Sequence, residues 1–409
     1  MTTLSSVPPG QSVRVLSGMR PTGRLHLGHY HGVLKNWIRL QHEYEAFFFV
    51  ADWHALTTHY DEPDVIKAHV WDMVVDWLAA GVDPHNATLF IQSHVPQHAE
   101  LSTLLGMITP LSWLERVPSY KDQQAQLKDR DLSTYGFLGY PLLQSADILI
   151  YRAGLVPVGE DQVAHVELTR EVARRFNHLY GREPGYEERA EKAINKLGKK
   201  TGALYRELRT AYLEKGDQDA LETARALLEK QKSITIGDKE RLFGYLEGGG
   251  KIILPEPQAV LTHSPKMPGL DGQKMSKSYN NIIALRDDPA DIEKKMRTMP
   301  TDPARVRRSD PGDPDKCPVW PFHQIYSDAD TKVWVQEGCR TAGIGCLECK
   351  QKVIDAVIAE LAPIRERAAE YAEDPTLAKN IIAEGSEHAR DVADETLDDV
   401  RQAIGLGYS

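Results

Sequence analysis

The sequence predicts an α/β protein: a doubly wound, Rossmann-like parallel sheet carrying a helical insertion, followed by an all-helical C-terminal region. Two observations support this prediction. Short apolar segments alternate with longer segments of helical periodicity in residues 12–183, which is typical of a parallel sheet with crossover helices. A glycine-containing turn follows the first apolar segment, where nucleotide-binding sheets place a phosphate.

Each element is predicted from periodicity and from the residues that end it. Apolar, β-prone runs predict strands at residues 13–16, 45–52 and 88–92. Apolar residues at 3.6-residue spacing predict helices, and Gly or Pro residues end several of them. The predicted helices include residues 64–80, 163–179, 353–364, 377–383 and 392–404.

Composition limits the class of protein. The chain has 409 residues, of which 41% are hydrophobic, so two or three domains with sizeable cores are expected. No apolar run reaches the length of a membrane span, and the first residues lack a signal-peptide pattern. We therefore expect a soluble cytoplasmic protein with no membrane partner. The net charge of −10 argues against non-specific nucleic-acid binding, although it permits a local basic surface.

Residues 17–29 are the most informative stretch. A turn at residues 18–23 ends the first strand, and residues from Leu27 onward have helical spacing. The N–H groups and dipole at such a helix start favour a phosphate. His26 and His29 are three residues apart, so both imidazoles can donate to one ligand. By itself the pair could also be a core pair, a helix cap or half of a metal site.

Glycine between the two histidines, at Gly28, would let a flat base lie against the backbone. A Walker A phosphate loop is excluded, because no Gly-Lys-Ser/Thr sequence ends this stretch. Two stretches instead resemble, in the expected order, the HIGH and KMSKS signatures of class I aminoacyl-tRNA synthetases: His26-Leu27-Gly28-His29 and Lys274-Met275-Ser276-Lys277-Ser278.

This resemblance implies activation of an amino acid by ATP. A carboxylate attacks the α-phosphate, and the protein supplies positioning and positive charge, with Mg²⁺ sharing the charge of the leaving phosphates. The implied catalytic residues are His26, His29, Lys274 and Lys277. The expected ATP-binding residues are Gly18, Arg20, Thr22, Gly28, Gly159, Asp161, Lys274, Met275, Ser276, Lys277 and Ser278. Many bacterial members have glutamine where this chain has Arg20, so the role of Arg20 stays open.

Residues 139–162 are similar to the corresponding stretch of tryptophanyl-tRNA synthetases. That similarity implies that Asp147 accepts the indole N–H and that Tyr140 and Gln162 hold the amino group. A buried acceptor would reject side chains that lack a donor. The implied tryptophan-binding residues are Leu16, His54, Tyr140, Gln144, Asp147, Val156, Val158 and Gln162.

Alternatives remain at this point. Asp147 could merely cap a helix or pair with Arg152. Tyrosyl-tRNA synthetase shares the fold and both signatures, and a regulatory paralogue could bind tRNA or nucleotide without turnover. The favoured activity is ATP-dependent ligation of L-tryptophan to tRNA(Trp).

Domain organisation follows from the same resemblance. Residues 12–183 form the catalytic domain, whose helical insert at about 96–140 pairs two subunits in this family, so a homodimer is implied. Residues 184–250 are a Lys/Glu/Ala-rich helical module with no counterpart in the family core, and its lysines favour a solvated helix face. Residues 251–290 resume the catalytic domain with the KMSKS loop, and residues 291–409 form a helical anticodon-binding domain.

All four cysteines of the chain lie within the C-terminal region. Four thiolates suit tetrahedral zinc or a cubane cluster. A subset of tryptophanyl-tRNA synthetases has a similar pattern with a non-catalytic [4Fe–4S] cluster, so that cluster is favoured over zinc and over reduced thiols. Arg340 and Lys350 are candidate RNA contacts nearby. The expected metal ligands are Cys317, Cys339, Cys346 and Cys349.

Overall fold

The structure is a computed structural model that describes residues 13–117, 133–181, 185–231, 234–246, 252–261 and 267–407. The strands of these ranges are β1 Arg14–Met19, β2 Glu45–Val50, β3 Ala87–Ile91, β4 Leu155–Val158 and β5 Gln258–Leu261. They form one sheet in the order β3-β2-β1-β4-β5. β1 pairs in parallel with β2, and β2 with β3. The predicted doubly wound α/β fold is confirmed.

The strand order identifies a ligand-binding edge. From β1 the chain adds β2 and β3 on one side and then β4 and β5 on the other side. Doubly wound sheets bind ligands at such a switch point, beyond the carboxyl ends of the strands. β2 is buried at five of its six residues, as expected for a strand covered on both faces. β5 was not predicted, because its apolar run of three residues is too short to distinguish a strand from a loop, and none of its four residues is buried.

Helices occupy most of the remaining described chain. Five are short, with bounds Leu27–His29, Lys35–Leu40, Asp52–Leu56, Leu111–Glu115 and Trp320–Tyr326. The longer helices are Pro63–Ala80, Gln97–Gly106, Tyr135–Ile150, Val163–Tyr180, Tyr186–Lys196, Lys199–Lys215, Gln218–Glu229, Ile236–Leu246, Pro289–Arg297, Ala329–Arg340, Cys346–Glu373 and Pro375–Ala403.

Two helical predictions need correction. The helix expected from Leu27 onward contains a π-helical segment, Tyr30–Leu34, directly after His29. The two helices predicted near the C-terminus are one helix, Pro375–Ala403. Gly385, inside it, does not break the helix: a Cβ atom there would overlap the backbone of Leu89, so this glycine permits close packing against β3.

The chain divides into two compact units. One contains the described residues up to Val95, Pro157–Glu160 and the described residues from Val260 to Ala389. The other contains the described parts of Pro96–Val156 and Asp161–Ala259, together with the chain from Arg390 onward. These divisions differ from the boundaries predicted at residues 183, 250 and 290, which stay predictions.

The module predicted at residues 184–250 has helices that share an apolar core. Tyr205 is fully buried there, and its hydroxyl donates to the carbonyl oxygen of Leu242 at 2.6 Å. One of the module's lysines, Lys196, pairs with Asp238 at 2.7 Å, which agrees with the solvated-face interpretation. Among the described residues, no helix is long and apolar enough to span a membrane.

Candidate active site

His26 is the N-cap of helix Leu27–His29, and the side chains of His26 and His29 form a capping box. Nδ1 of His26 accepts the N–H of Gly28 at 3.1 Å, and Nδ1 of His29 accepts the N–H of His26 at 3.3 Å. Their ring centroids are 3.9 Å apart. The alternative of a helix cap is therefore correct for the Nδ1 atoms, and the Nε2 atoms are the ring nitrogens that the cap does not use.

Electrostatics keep both rings neutral at pH 7. Burial, assisted by the charge of Lys277, lowers the pKa of His26 to about 4. Burial also lowers the pKa of His29, with further contributions from His26, Lys277 and Lys274. Because each Nδ1 accepts a backbone proton, each neutral ring has its own proton on Nε2. The pair therefore presents two neutral N–H donors.

Three glycines here have structural reasons for being glycine. A Cβ atom on Gly28 would stand 2.9 Å from the His26 ring, so this residue accommodates that ring as well as any ligand. A Cβ on Gly18 would stand 2.6 Å from the ring of Phe49 on β2. Gly23 has φ +134°, which disfavours other residues. The predicted contacts of Gly18 and Gly28 with ATP stay predictions.

The KMSKS-like loop lies against the turn before His26, within the same unit. Nζ of Lys277 donates to the carbonyl oxygen of Gly23 at 2.7 Å. Burial lowers the pKa of Lys277 to about 8, opposed by Asp76 and assisted by Arg20. Lys277 is thus a desolvated cation beside the helix start, while Lys274 is exposed and its charge reaches His29.

Asn281 holds the loop's backbone, and sequence reasoning did not identify it. Its Oδ1 accepts the N–H of Ser276 at 2.7 Å, and its Nδ2 donates to Asp271 at 2.7 Å and to the carbonyl of Lys274 at 3.1 Å. The side chain is only 3% exposed. Its position just after the loop was the only sequence signal, since a single polar residue in a turn is common.

The other predicted ATP-binding residues have simpler surroundings. Met275 is buried, Arg20 is exposed, and the N–H of Thr22 donates to the carbonyl of Arg20 at 2.9 Å. Gly159 and Asp161 are both exposed, in different units. Ser278 lies in the 3-10 turn Lys277–Tyr279, and its side chain is outside the described structure.

Asp147, the residue expected to recognise the indole, is 1% exposed and lies on helix Tyr135–Ile150. Its Oδ1 accepts a hydrogen bond from Nδ1 of His98 at 2.6 Å. The alternative partner Arg152 contacts Asp399. The first alternative, a helix cap, is not supported, because Asp147 lies in the last third of its helix.

Tyr140 and Gln162 are joined by a histidine within one unit. His165 contacts the hydroxyl of Tyr140 through Nε2 at 3.1 Å and the Oε1 atom of Gln162 through Nδ1 at 2.7 Å. The structure therefore brings together the two residues expected to hold the amino group. His165 was missed because it follows the motif, in a helix whose apolar pattern explains its burial.

The remaining predicted tryptophan-binding residues divide between the units. Leu16 on β1, His54 on helix Asp52–Leu56 and Val158 at the end of β4 are buried in one unit. Val156 is buried and Gln144 half-buried in the other.

The four cysteines come from three segments of one unit. Burial and the charges of the other three sulfurs raise the pKa of Cys349 to about 12, so the four thiols are electrostatic neighbours. A Cβ atom on Gly312 would stand 2.8 Å from the sulfur of Cys339. His323, fully buried, places Nε2 3.2 Å from the sulfur of Cys349. In the described ranges, no three His, Cys, Asp or Glu side chains surround a single metal position.

One of the two candidate RNA contacts near the cysteines is wrong. Lys350 is only 4% exposed, and its Nζ donates to the carbonyl oxygens of Arg297 and Met299 at 2.8 and 2.5 Å. A lysine used in this way stabilises a loop and cannot reach a phosphate. Arg340 is exposed, with Asp315 at 3.7 Å.

Comparison with known proteins identifies the family. The chain matches the family described as tRNA synthetases class I (W and Y) over residues 9–201 and 218–362. The chain belongs to this family. The matched residues include the stretch from His26 to His29 and the stretch from Lys274 to Ser278.

Relatives of this synthetase are named for tryptophan. A tryptophan–tRNA ligase of Ralstonia nicotianae is 70% identical over 396 residues, covering 97% of this chain and 99% of the relative. One from Thermotoga maritima is 45% identical over 399 residues, covering 97% and 100%. The solved tryptophanyl-tRNA synthetase of Campylobacter jejuni, complexed with ADP and tryptophan, has a TM-score of 0.72 at 27% identity, with 96% of this chain and all of that chain covered. A tyrosyl-tRNA synthetase of Archaeoglobus fulgidus shares the fold, with a TM-score of 0.51.

Proposed function

We propose that this class I synthetase is a tryptophan–tRNA ligase, which forms tryptophanyl adenylate from ATP and L-tryptophan and transfers the acyl group to tRNA(Trp). One geometric observation supports it best: the rings of His26 and His29 stand 3.9 Å apart at one helix start, and the ammonium group of Lys277, bonded to the preceding turn, acts electrostatically on both. The relatives at 70% and 45% identity have the same name.

Activation needs positive charge where the phosphates separate. The Nε2–H groups of His26 and His29 donate to phosphoryl oxygens without titrating near pH 7, because both rings are neutral. Lys277 and Lys274 supply the full charges that stabilise the developing negative charge on pyrophosphate. Mg²⁺ enters with ATP, since it usually binds through substrate phosphates.

Tryptophan is recognised through its side chain and its amino group. In this proposal Asp147 accepts the indole N–H, and the group Tyr140, His165 and Gln162 holds the α-amino nitrogen. Leu16, His54, Gln144, Val156 and Val158 stay predicted tryptophan-binding residues. An acceptor as buried as Asp147 penalises substrates that leave it unsatisfied, which favours tryptophan over phenylalanine.

The four cysteines are candidate ligands of one metal centre. The other three sulfurs act electrostatically on Cys349, so the four thiols are neighbours, and four thiolates suit a cubane cluster or tetrahedral zinc. Cys346 and Cys349 both lie in the first turn of helix Cys346–Glu373, so one helix holds two of the four thiols. We propose that Cys317, Cys339, Cys346 and Cys349 hold a [4Fe–4S] cluster, with zinc as the alternative. Its role would be structural or in anticodon contact, and not catalytic.

A homodimer is part of the proposal. Large apolar side chains of the expected pairing segment are exposed: Met107 is 76%, Leu111 57% and Tyr135 82% accessible. Residues 118–132 of that segment lie outside the described structure. A second copy would bury these side chains, so Met107→Lys with Tyr135→Ser should shift sedimentation toward the monomer. We also propose that the enzyme works in the cytoplasm, where its tRNA is charged.

Exchange of labelled pyrophosphate into ATP tests the function. Purified enzyme should catalyse exchange that depends on tryptophan, and tRNA(Trp) should accept the labelled amino acid. Exchange that depends on tyrosine instead would reassign the specificity. No exchange with either amino acid, from folded protein, would favour a regulatory paralogue that binds without turnover.

A further inference from the structure

We propose that His98 is a positioning residue for specificity: it orients the Asp147 carboxylate as the acceptor for the indole N–H of tryptophan. The inference rests on the proposed role of Asp147 and extends it to a residue outside the recognised motifs. His98 lies on helix Gln97–Gly106, and Asp147 on helix Tyr135–Ile150, within one unit.

A chain of three buried polar groups carries the inference. Nδ1 of His98 is 2.6 Å from Oδ1 of Asp147, and Nε2 of His98 is 2.7 Å from the hydroxyl of Tyr151. His98 and Tyr151 are fully buried, and Asp147 is 1% exposed. Contacts of these lengths between fully desolvated groups are costly to assemble unless each group is satisfied.

The positions of the protons determine which group donates each hydrogen bond among Tyr151, His98 and Asp147. Burial, with the nearby charge of Asp147, raises the pKa of Tyr151 well above its ordinary value, so the phenol keeps its proton. Tyr151 can therefore donate to Nε2 of His98, which places the imidazole proton on Nδ1. Nδ1 then donates to Asp147, and the carboxylate receives a hydrogen bond rather than facing a second acceptor.

This arrangement explains how a buried carboxylate can serve as an acceptor. Without a donor, burial would favour the protonated form of Asp147, which presents an O–H donor where the indole also presents a donor. The bond from His98 stabilises the anion and fixes its plane. A carboxylate has about four lone-pair sites, so one bond to Oδ1 does not exhaust its capacity to accept another. His98 acts on the substrate only through Asp147.

The test uses two substrates that differ in one group. Tryptophan has the indole N–H, and benzothienylalanine has sulfur in its place. Pyrophosphate exchange gives kcat/KM for each with wild type, His98→Leu and His98→Asn. In His98→Leu, kcat/KM for tryptophan should fall by at least ~30-fold, while kcat/KM for the analogue and KM for ATP should change by less than ~3-fold.

Conservative variants separate positioning from folding. The amide nitrogen of Asn can replace Nδ1–H, so His98→Asn should restore most of the preference for tryptophan over the analogue. Tyr151→Phe removes only the distal hydroxyl and should cause a smaller loss of preference. If circular dichroism shows that His98→Leu is unstable, His98→Asn is compared with His98→Gln instead. The amide of Gln reaches the Nε2 position and not the Nδ1 position. Only His98→Asn should therefore keep the preference for tryptophan over the analogue.

Equal losses for tryptophan and the analogue in the His98 variants would overturn the inference, because a merely structural role lowers both. Failure of the proposed function looks different: wild type would then show no tryptophan-dependent exchange. If wild type is active but Asp147→Ala keeps the preference for tryptophan over the analogue, Asp147 is not the acceptor, and the inference fails with it.

Discussion

Nζ of Lys277 donates a hydrogen bond to the carbonyl oxygen of Gly23 across 2.7 Å, although the two residues are 254 positions apart. This contact places the last lysine of the KMSKS-like loop beside the turn that leads into His26. Burial of the ammonium group lowers the pKa of Lys277 to about 8, so its protonation is sensitive to pH there.

Lys277 should set an alkaline limit on ATP use. Its pKa is lowered to about 8, so the free enzyme loses this charge as pH rises through 8, and kcat/KM for ATP should fall there. Lys277→Arg keeps its charge at this pH and should remove the alkaline limb, the fall in kcat/KM for ATP above pH 8. Lys277→Ala should lower the rate of adenylate formation by roughly 100-fold with little change in tryptophan affinity. The exposed Lys294→Arg is the control, and an alkaline limb that survives in Lys277→Arg would contradict the assignment.

Asn281 should restrain the backbone of the KMSKS-like loop. Asn281→Ala removes the acceptor of the Ser276 N–H and the donor to the Lys274 carbonyl, so hydrogen exchange at Ser276 should accelerate. Adenylate formation should slow by about 10-fold, because the lysines are positioned less well. Asn280→Gly is the matched control, since Asn280 has φ +49° and glycine tolerates that conformation. Unchanged exchange at Ser276 would show that Asn281 does not restrain the loop.

Asp147 should matter for tryptophan and not for ATP. Asp147→Ala removes one buried acceptor, so KM for tryptophan in pyrophosphate exchange should rise by roughly 100-fold while KM for ATP stays within about 2-fold. Because His98 loses its partner as well, the melting temperature should also fall. A variant with unaltered tryptophan kinetics would place the indole elsewhere.

Glu360 should make stability sensitive to acid. Burial alone would raise its pKa, but hydrogen bonds from His31, Lys35 and Tyr326 outweigh burial and lower it to about 2. Because this pKa lies below the ordinary value of 4.5, the stabilisation is complete above pH 4.5 and is lost as pH falls toward 2.

Glu360→Gln should therefore lose about 2 kcal/mol of unfolding free energy at pH 7 and less at pH 3, as measured by urea denaturation. Glu366→Gln, exposed on the same helix, should behave like wild type. Parallel acid profiles for wild type and Glu360→Gln would exclude this role.

The cysteines should bind iron. Protein purified without oxygen should be brown and contain about four irons per chain. Cys349→Ser should lose most of that iron. His323→Asn, which changes the contact with the Cys349 sulfur, should shift the visible absorption while retaining iron. Colourless anaerobic protein with one zinc, or with four titratable thiols and no metal, would rule out the cluster.

Interactions between neighbouring residues allowed several elements and motifs to be predicted from the sequence alone. The β1 strand, the turn after it and the helix start at Leu27 depend on neighbouring residues, so periodicity and turn residues were sufficient for them, although not for the π-helical segment Tyr30–Leu34. The paired histidines and the KMSKS-like loop are short motifs whose chemistry is recognisable without coordinates. The four cysteines likewise stood out because the chain contains no others.

Only the tertiary structure decided which distant groups face one another. His98 and Asp147 are 49 residues apart, and no local pattern distinguishes His98 from an ordinary core histidine. The sequence predicts Lys350 as a candidate RNA contact because it lies near the cysteines, yet packing buries it against two carbonyl groups. Burial and long-range hydrogen bonds depend on the three-dimensional arrangement of the elements, whereas strands, turns and helix starts depend on adjacent residues.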